Sequence, residues 1–247
     1  MTGHDYDLHM TFAAIIFDVD GTLADTERDG HRPAFNAAFA EAGLAWRWDE
    51  DMYGKLLAVT GGKERIRHFA TLHDPGFLAR PDCDSQIARL HAAKTRHFVT
   101  LLEAGGIPLR PGVTRLMDEA RAAGLRLAIA TTTSPENVAA LLRVSLGPHS
   151  ANWFAVIGAG DVVPAKKPAS DIYHWVLQRL AVAAGDCLAI EDSGHGLAAS
   201  RGAGIPTLIT TNGYTVAQDF SGALAILPSL ENTGLGEIRQ LLSKANS

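Results

Sequence analysis

The sequence has little that points to a membrane, to nucleic acid or to a disulfide framework. Its two cysteines, Cys83 and Cys187, lack CxxC spacing, so neither a disulfide scaffold nor a cysteine zinc site is indicated. The formal charge of -5 provides no basic surface for nucleic acid. No apolar run approaches the ~20 residues that span a bilayer. The opening MTGHDYDLHM resembles neither a signal nor a transit peptide. We therefore expect a soluble cytoplasmic protein, and we also expect it to be a monomer.

What the sequence does contain is an alternation of apolar runs and helical patterns. Four runs predict buried strands: FAAIIF, LRLAIA, CLAI and PTLIT. Helical periodicity falls between the later runs, in GVTRLMDEARAAG, SPENVAALLRVSL and SDIYHWVLQRLAV. Strands that alternate with helices are typical of an α/β domain with a parallel sheet and helices on both faces.

One long segment departs from this alternation. Residues 27–106 show helical periodicity with Gly/Pro punctuation and no convincing buried strand. The simplest interpretation is a helical insert after the first strand. We expect an α/β core at 12–26 and 107–230, a helical cap at 27–106, and terminal extensions at 1–11 and 231–247, the last with a short helix at LGEIRQLLSK.

Polar side chains cluster where the apolar runs end. The group comprises Asp18, Asp20, Thr131, Lys167, Glu191 and Asp192. In open α/β sheets, ligands bind beyond the carboxyl ends of the strands. Carboxylates gathered at one edge repel one another unless a cation binds, and an all-oxygen set suits Mg²⁺. A lysine and a hydroxyl beside them provide donors for a phosphoryl group. The cluster therefore predicts a magnesium site next to a phosphate site.

The order of these motifs resembles the haloacid dehalogenase superfamily of phosphohydrolases. The pattern is DxDGT, a run that ends in Thr, then Lys-Pro, then a run that ends in Glu-Asp. The resemblance implies a Rossmann-like core with an inserted cap, and Asp18 as the nucleophile that forms an aspartyl-phosphate. It implies Asp20 as general acid and then base, and Thr131 and Lys167 as holders of the transferring phosphate.

The same resemblance implies the metal ligands. Mg²⁺ would be bound by Asp18, the backbone carbonyl of Asp20 and Asp192, with Glu191 nearby. DxDG alone also occurs in turns and calcium loops, but the other three motifs in order favour the phosphohydrolase interpretation.

The cap segment predicts the substrate. Gly61 and Gly62 permit close backbone approach, and amides before a helix bind anions. Lys63 and Arg65 add positive charge, which favours a contact with a second phosphate over a solvated helix start. Lys94 and Arg96, in KTRHF, could add further charge, but a solvated helix face is the favoured interpretation for both.

Several longer segments resemble the CbbY branch of the superfamily, whose members are xylulose-1,5-bisphosphate phosphatases that remove an inhibitor of Rubisco. They are WRWDEDMYGKLLAVTGGKERIRHF, HAAKTRHFV, AIATTTS, AGDVVPAKKPASDIY and AIEDSGHGL. The resemblance implies a sugar bisphosphate bound by Asp18, Glu27, Gly61, Gly62, Lys63, Glu64, Arg65, Thr131, Thr132, Thr133, Ser134 and Lys167.

Two alternative functions and the role of one residue stay open at this point. A β-phosphoglucomutase or another capped phosphatase shares these motifs, and receiver-type phospho-acceptor modules also use an acidic Mg²⁺ site. TERDGHRPAF is one residue longer than the family pattern, which leaves the role of His31 open. Lys166 is interpreted as a solvated charge and His195 as a surface residue at a helix start.

Overall fold

The computed structural model describes residues 12–245, so the predicted extension at 1–11 and the last two residues lie outside the described part. Its centre is one parallel sheet of six strands in the order β3-β2-β1-β4-β5-β6. The strands are β1 (Ala14–Phe17), β2 (Arg126–Ala130), β3 (Phe154–Gly158), β4 (Cys187–Glu191), β5 (Thr207–Thr210) and β6 (Ala225–Leu227). The predicted parallel α/β sheet is confirmed.

Helices cover both faces of the sheet because its strands are apolar on both sides. On β1, Ile15 and Phe17 belong to one apolar cluster, and Ala14 and Ile16 belong to the other. The core helices are α6 (Val113–Ala122), α7 (Pro135–Leu146), α8 (Asp171–Leu180), α9 (Gly194–Gly202) and α10 (Leu235–Ala245). The three helices predicted between the strands are confirmed as α6, α7 and α8.

Two strands were missed by the sequence prediction, and both lie at sheet edges. β3 and β6 are each paired on one side only among the described residues. Their middle residues are partly exposed, unlike the wholly buried β1 and β4. An edge strand does not require a continuous apolar run. The apolar runs that predicted the other four strands are therefore weak in β3 and β6.

Between β1 and β2 the described chain is helical. After a π-helical turn at Glu27–His31 come α1 (Arg32–Glu41), α2 (Glu50–Leu56), α3 (Gly62–His73), α4 (Pro75–Leu78) and α5 (Cys83–Glu103). This insert, the cap, has its own aromatic core around Phe35, Phe39 and Trp48. The first half of α5 packs in that core, whereas Phe98 and Leu102 belong to the cluster under the sheet. Because α5 packs in both clusters, the boundary between cap and core at residue 106 stays a prediction.

The last helix is part of the main core. Leu235, Ile238 and Leu242 of α10 are buried in the same cluster as β1. Within residues 12–245, none of the helices combines the length and the apolar character that a bilayer crossing requires.

Candidate active site

The candidate site lies at the carboxyl edge of the three central strands. Phe17 of β1 is in register with Ile129 of β2 and Ile190 of β4. The next residue of each strand segment is therefore at the same level: Asp18, Ala130 and Glu191. Parallel strands end at one edge, and the polar residues that follow them meet there.

Lys167 is the positive partner of the buried carboxylates. Its side chain is buried, and its ammonium donates to Asp18 Oδ1 at 2.7 Å, Glu191 Oε1 at 2.6 Å and the Ala130 carbonyl at 2.9 Å. Tyr173 Oη also donates to Glu191 Oε1, at 2.5 Å. Burial alone would lower the pKa of Lys167, but the charges of Asp18 and Glu191 outweigh it and raise the pKa. The lysine therefore stays charged.

The acidic residues around Lys167 fit a hard divalent cation. Asp18, Glu191 and Asp192 each offer a carboxylate oxygen, and these oxygens lie within 4.8 Å of one another. Among the described residues, the buried Glu191 Oε2 has no hydrogen-bond partner. Burial raises the pKa of Asp18 from 3.8 to about 8, against the opposing charge of Lys167, and raises that of Asp192. Carboxyls that resist ionisation in this way are ones a cation would stabilise.

The backbone turns at Gly21, after β1, and there it approaches this cluster closely. Gly21 has a φ of +84°, and a Cβ there would lie 2.2 Å from Asp192 Oδ2. The same carboxylate oxygen accepts from Asn212 Nδ2 at 2.6 Å. A side chain at position 21 would occupy the space of a predicted metal ligand.

Asp20 has a different environment from its neighbour Asp18. Its Oδ1 accepts from Thr26 Oγ1 at 2.6 Å and lies 2.8 Å from His31 Nε2. Burial would raise the pKa of Asp20, but the charge of His31 and the bonds from His31 and Thr26 lower it well below its ordinary value. An ionised carboxylate only accepts hydrogen bonds, so His31 Nε2 is the donor. The Asp20 side chain is thus held by Thr26 and His31, and it makes no hydrogen bond with Lys167.

The cap contributes Arg65 to the same cavity. Arg65 is buried, and its Nη1 donates to Tyr53 Oη at 2.9 Å and lies 3.7 Å from Glu27 Oε2. Tyr53 in turn donates to Glu27. The cavity, of about 520 Å³, is lined by Asp18, Asp20, Glu27, Arg65 and Thr131 together with Thr132 and Asp192. It therefore joins the carboxylate edge of the core to a cation of the cap.

The other predicted cap residues line a second cavity. This space, of about 590 Å³, is lined by Gly61, Gly62, Lys63, Glu64, Thr132 and Ser134 among others. Lys63 is partly exposed and pairs with Asp161 of the core, Nζ to Oδ2, at 2.7 Å. Thr133 is buried, and its hydroxyl accepts from Asn137 Nδ2 at 3.0 Å. Most of the predicted substrate residues therefore line one of two cavities, with Thr132 in both, whereas the buried Thr133 and Lys167 line neither.

Comparison with known proteins identifies the family. Residues 12–223 match the family model of the haloacid dehalogenase-like hydrolases. Protein CbbY of Cupriavidus necator is 54% identical over 217 residues, which are 88% of this chain and 85% of that protein. The chain belongs to the CbbY branch of the haloacid dehalogenase-like hydrolases.

Solved structures agree with this assignment. A crystal structure of a CbbY mutant from Rhodobacter sphaeroides in complex with xylulose-(1,5)bisphosphate is 46% identical, with a TM-score of 0.85, and the match covers 92% of this chain and 98% of that one. β-Phosphoglucomutase from Clostridium difficile has a TM-score of 0.78 over 95% and 99% of the two chains, but at 17% identity it shows the fold alone. The predictions of the family, the fold and a phosphatase-type enzyme are confirmed.

One buried cation, whose charge helps to lower the pKa of Asp20, was misread in the sequence. Lys94 was interpreted as part of a solvated helix face, and this is wrong, because its side chain is buried over the rings of Phe35 and Phe98 at 5.2 Å. Burial lowers its pKa to about 8, although the charge of Asp20 opposes the shift. The available signal was spacing: Lys94 lies four residues after Leu90 and four before Phe98, on the buried face of α5.

Five further polar residues complete the description. Lys166 was interpreted as a solvated charge, but it is mostly buried and donates to Asp161 Oδ1 at 2.6 Å. His195 lies near the start of α9, as expected, and lines the cavity beside Asp192. The sequence analysis missed Tyr53, Tyr173 and Asn212, because none of them belongs to a motif and each enters the site from a neighbouring element.

Proposed function

We propose that this chain is a Mg²⁺-dependent phosphatase that hydrolyses a sugar bisphosphate, xylulose-1,5-bisphosphate, through an aspartyl-phosphate on Asp18. The observation that carries the proposal is the single cavity whose lining includes both Asp18 of the core and the buried Arg65 of the cap. Asp18 would receive the transferring phosphate, and Arg65 offers a positive charge to a second one. Support also comes from the CbbY structure that binds this bisphosphate. The cytoplasmic location and the monomeric state stay predictions.

In the first step, a carboxylate oxygen of Asp18 attacks phosphorus, and the bond from phosphorus to the sugar oxygen breaks. The sugar oxygen takes a proton from Asp20. In the second step, water gives a proton to Asp20 and attacks the same phosphorus, which releases phosphate and restores Asp18. Because Asp20 is held ionised by Thr26 and His31, it must first gain a proton. The negative charge of a bound phosphate favours that protonation.

Lys167 and Thr131 would hold the oxygens of the transferring group. All three hydrogens of the Lys167 ammonium already have acceptors, so the lysine exchanges one partner when phosphate binds. Mg²⁺, held by Asp18, Asp192 and the backbone carbonyl of Asp20 with Glu191 nearby, would neutralise charge on the phosphoryl group.

Phosphate release should be measured over a panel of sugar mono- and bisphosphates, with Arg65→Ala and Lys63→Ala beside the wild type. Charge-assisted contacts contribute about 1.5–3 kcal/mol each, which corresponds to roughly 10- to 100-fold. We expect Arg65→Ala to lower kcat/KM for xylulose-1,5-bisphosphate by that factor and to leave p-nitrophenyl phosphate nearly unaffected. The effect of Lys63→Ala should be smaller, because Lys63 is partly exposed and already paired.

Arg67→Ala is the matched control, since Arg67 lies on the same helix and its half-exposed side chain pairs with Asp84 within the cap. Equal losses on both substrates in Arg65→Ala would contradict the proposed second phosphate site. A sugar bisphosphate that accumulates during turnover and is required for activity would instead indicate a mutase. Stoichiometric phosphorylation without release would indicate a phospho-acceptor module.

A further inference from the structure

The turn that precedes α3 in the cap is bound to the core loop that carries Lys167. Thr60 Oγ1 donates to the backbone carbonyl of Lys167 at 2.5 Å. Three residues along the chain, Lys63 Nζ contacts Asp161 Oδ2 at 2.7 Å. Both acceptors belong to the core segment 160–167. One short turn of the cap is thus attached to both ends of one core loop.

The geometry of the turn makes the first contact specific. Gly61 follows Thr60 with a φ of +92°, and a Cβ at Gly61 would lie 2.2 Å from Glu64 Oε2. The turn is therefore closely packed on its own helix, and the Thr60 hydroxyl projects from it to the core. The bond is partly buried and joins residues 107 positions apart. A contact of this kind constrains the main chain at Lys167.

The second contact is a shared carboxylate. Asp161 accepts from Lys63 of the cap at its Oδ2 and from Lys166 of the core at its Oδ1, at 2.6 Å. Lys166 also donates to the Gly160 carbonyl at 2.5 Å, which ties the start of the loop to its end. Asp161 is exposed and pairs with both lysines, so this contact should weaken as salt increases.

We propose that Thr60 and Asp161 are positioning residues through which the cap fixes the backbone of Lys167 and hence the place of its ammonium against Asp18. The inference rests on the proposed function in one respect, namely that Lys167 acts on the transferring phosphate. The cap would then position a catalytic residue of the core as well as select the substrate.

Thr60→Val tests the first contact, because it removes the hydroxyl and retains the shape, and Thr60→Ser restores the donor. With p-nitrophenyl phosphate we expect kcat of Thr60→Val to fall about 2- to 12-fold, the value of one neutral hydrogen bond, with a smaller change in KM. Thr60→Ser should remain close to the wild type. Equal kcat values in the two variants would overturn the proposal.

Hydrogen exchange provides a readout that needs no substrate. In Thr60→Val, backbone amides in the peptide that spans 160–170 should exchange about 2- to 12-fold faster than in Thr60→Ser. Unchanged exchange in this peptide would refute the positioning role, whatever the enzyme hydrolyses. If the wild type does not hydrolyse xylulose-1,5-bisphosphate, the proposed substrate is wrong, but the exchange measurement still tests the positioning role.

Asp161→Asn tests the second contact. We expect a loss of about 2- to 5-fold in kcat at low ionic strength, since exposed ion pairs contribute little, and we expect this loss to disappear in concentrated salt. Asp161→Glu should recover most of the activity. Asp84→Asn, which removes an exposed pair within the cap, is the control and should show no such dependence. A loss in Asp161→Asn that is independent of salt would contradict the role given to the pair.

Discussion

Replacing Lys167 with methionine should unfold the metal-free protein at a much lower temperature. The change retains the length of the side chain and removes the ammonium that contacts Asp18 and Glu191. Removing one partner of a buried ion pair costs about 3–5 kcal/mol. With an unfolding entropy of about 2.1 cal/mol/K per residue, the 247 residues give roughly 0.5 kcal/mol/K. The expected fall in Tm is therefore about 6–10 °C.

The size of this effect should depend on pH. The pKa of Asp18 in the folded protein is raised from 3.8 to about 8, and Lys167 opposes that rise. A carboxyl whose pKa is raised by folding contributes stability below pH 4, and that stability is lost as the pH increases through about 8. At pH 5 the protonated Asp18 needs no cation, so the variant should lose less there than at pH 8.

Scanning calorimetry at pH 5 and pH 8, each with EDTA and with Mg²⁺, measures both effects. Mg²⁺ should recover more stability in Lys167→Met at pH 8 than at pH 5, because carboxylate ligands must be ionised. Lys63→Met is the control, since its exposed ion pair with Asp161 is worth about 0–1 kcal/mol. A Tm of Lys167→Met equal to that of the control at pH 8 in EDTA would refute the reasoning.

Other predictions follow from the same site. Asp18→Asn should show no turnover in a phosphate-release assay and no beryllium fluoride adduct by mass spectrometry, and full activity would exclude the aspartyl-phosphate. Gly196→Ala should raise the Mg²⁺ concentration needed for half-maximal activity, because its Cβ would lie 1.8 Å from Glu191 Oε2, whereas Gly194→Ala, with no atom nearer than 3.4 Å, should not.

The core and its motifs were predictable because burial and chemistry coincide there. β1, β2 and β4 are apolar on both faces and end in the polar residues of the site, so an apolar run followed by Asp18, Thr131 or Glu191 locates both strand and ligand. The edge strands had no such signal, since partial exposure relaxes the requirement for apolar side chains.

The cap contacts could not be predicted in the same way, because they depend on the rotation of helices. Lys63 and Arg65 were expected to bind one phosphate together. At 3.6 residues per turn, residues two apart point in nearly opposite directions, and the two side chains indeed line different cavities. Lys94 was misread for the same reason, since its environment follows from which face of α5 is buried. Charge alone does not identify a side chain that enters the site.

The packing of helix α5 determines where a cap can be exchanged between relatives. At about 1.5 Å per residue, its 21 residues form a rod of roughly 31 Å. The front half is anchored among the cap aromatics, and Phe98 and Leu102 are anchored beneath the sheet. A chimera joined at residue 106 would import a foreign set of contacts into the recipient core. With a junction inside α5, after Lys94 and before Phe98, the donor would supply the cap residues that line the cavity. The recipient would retain its own Phe98 and Leu102 contacts with the core.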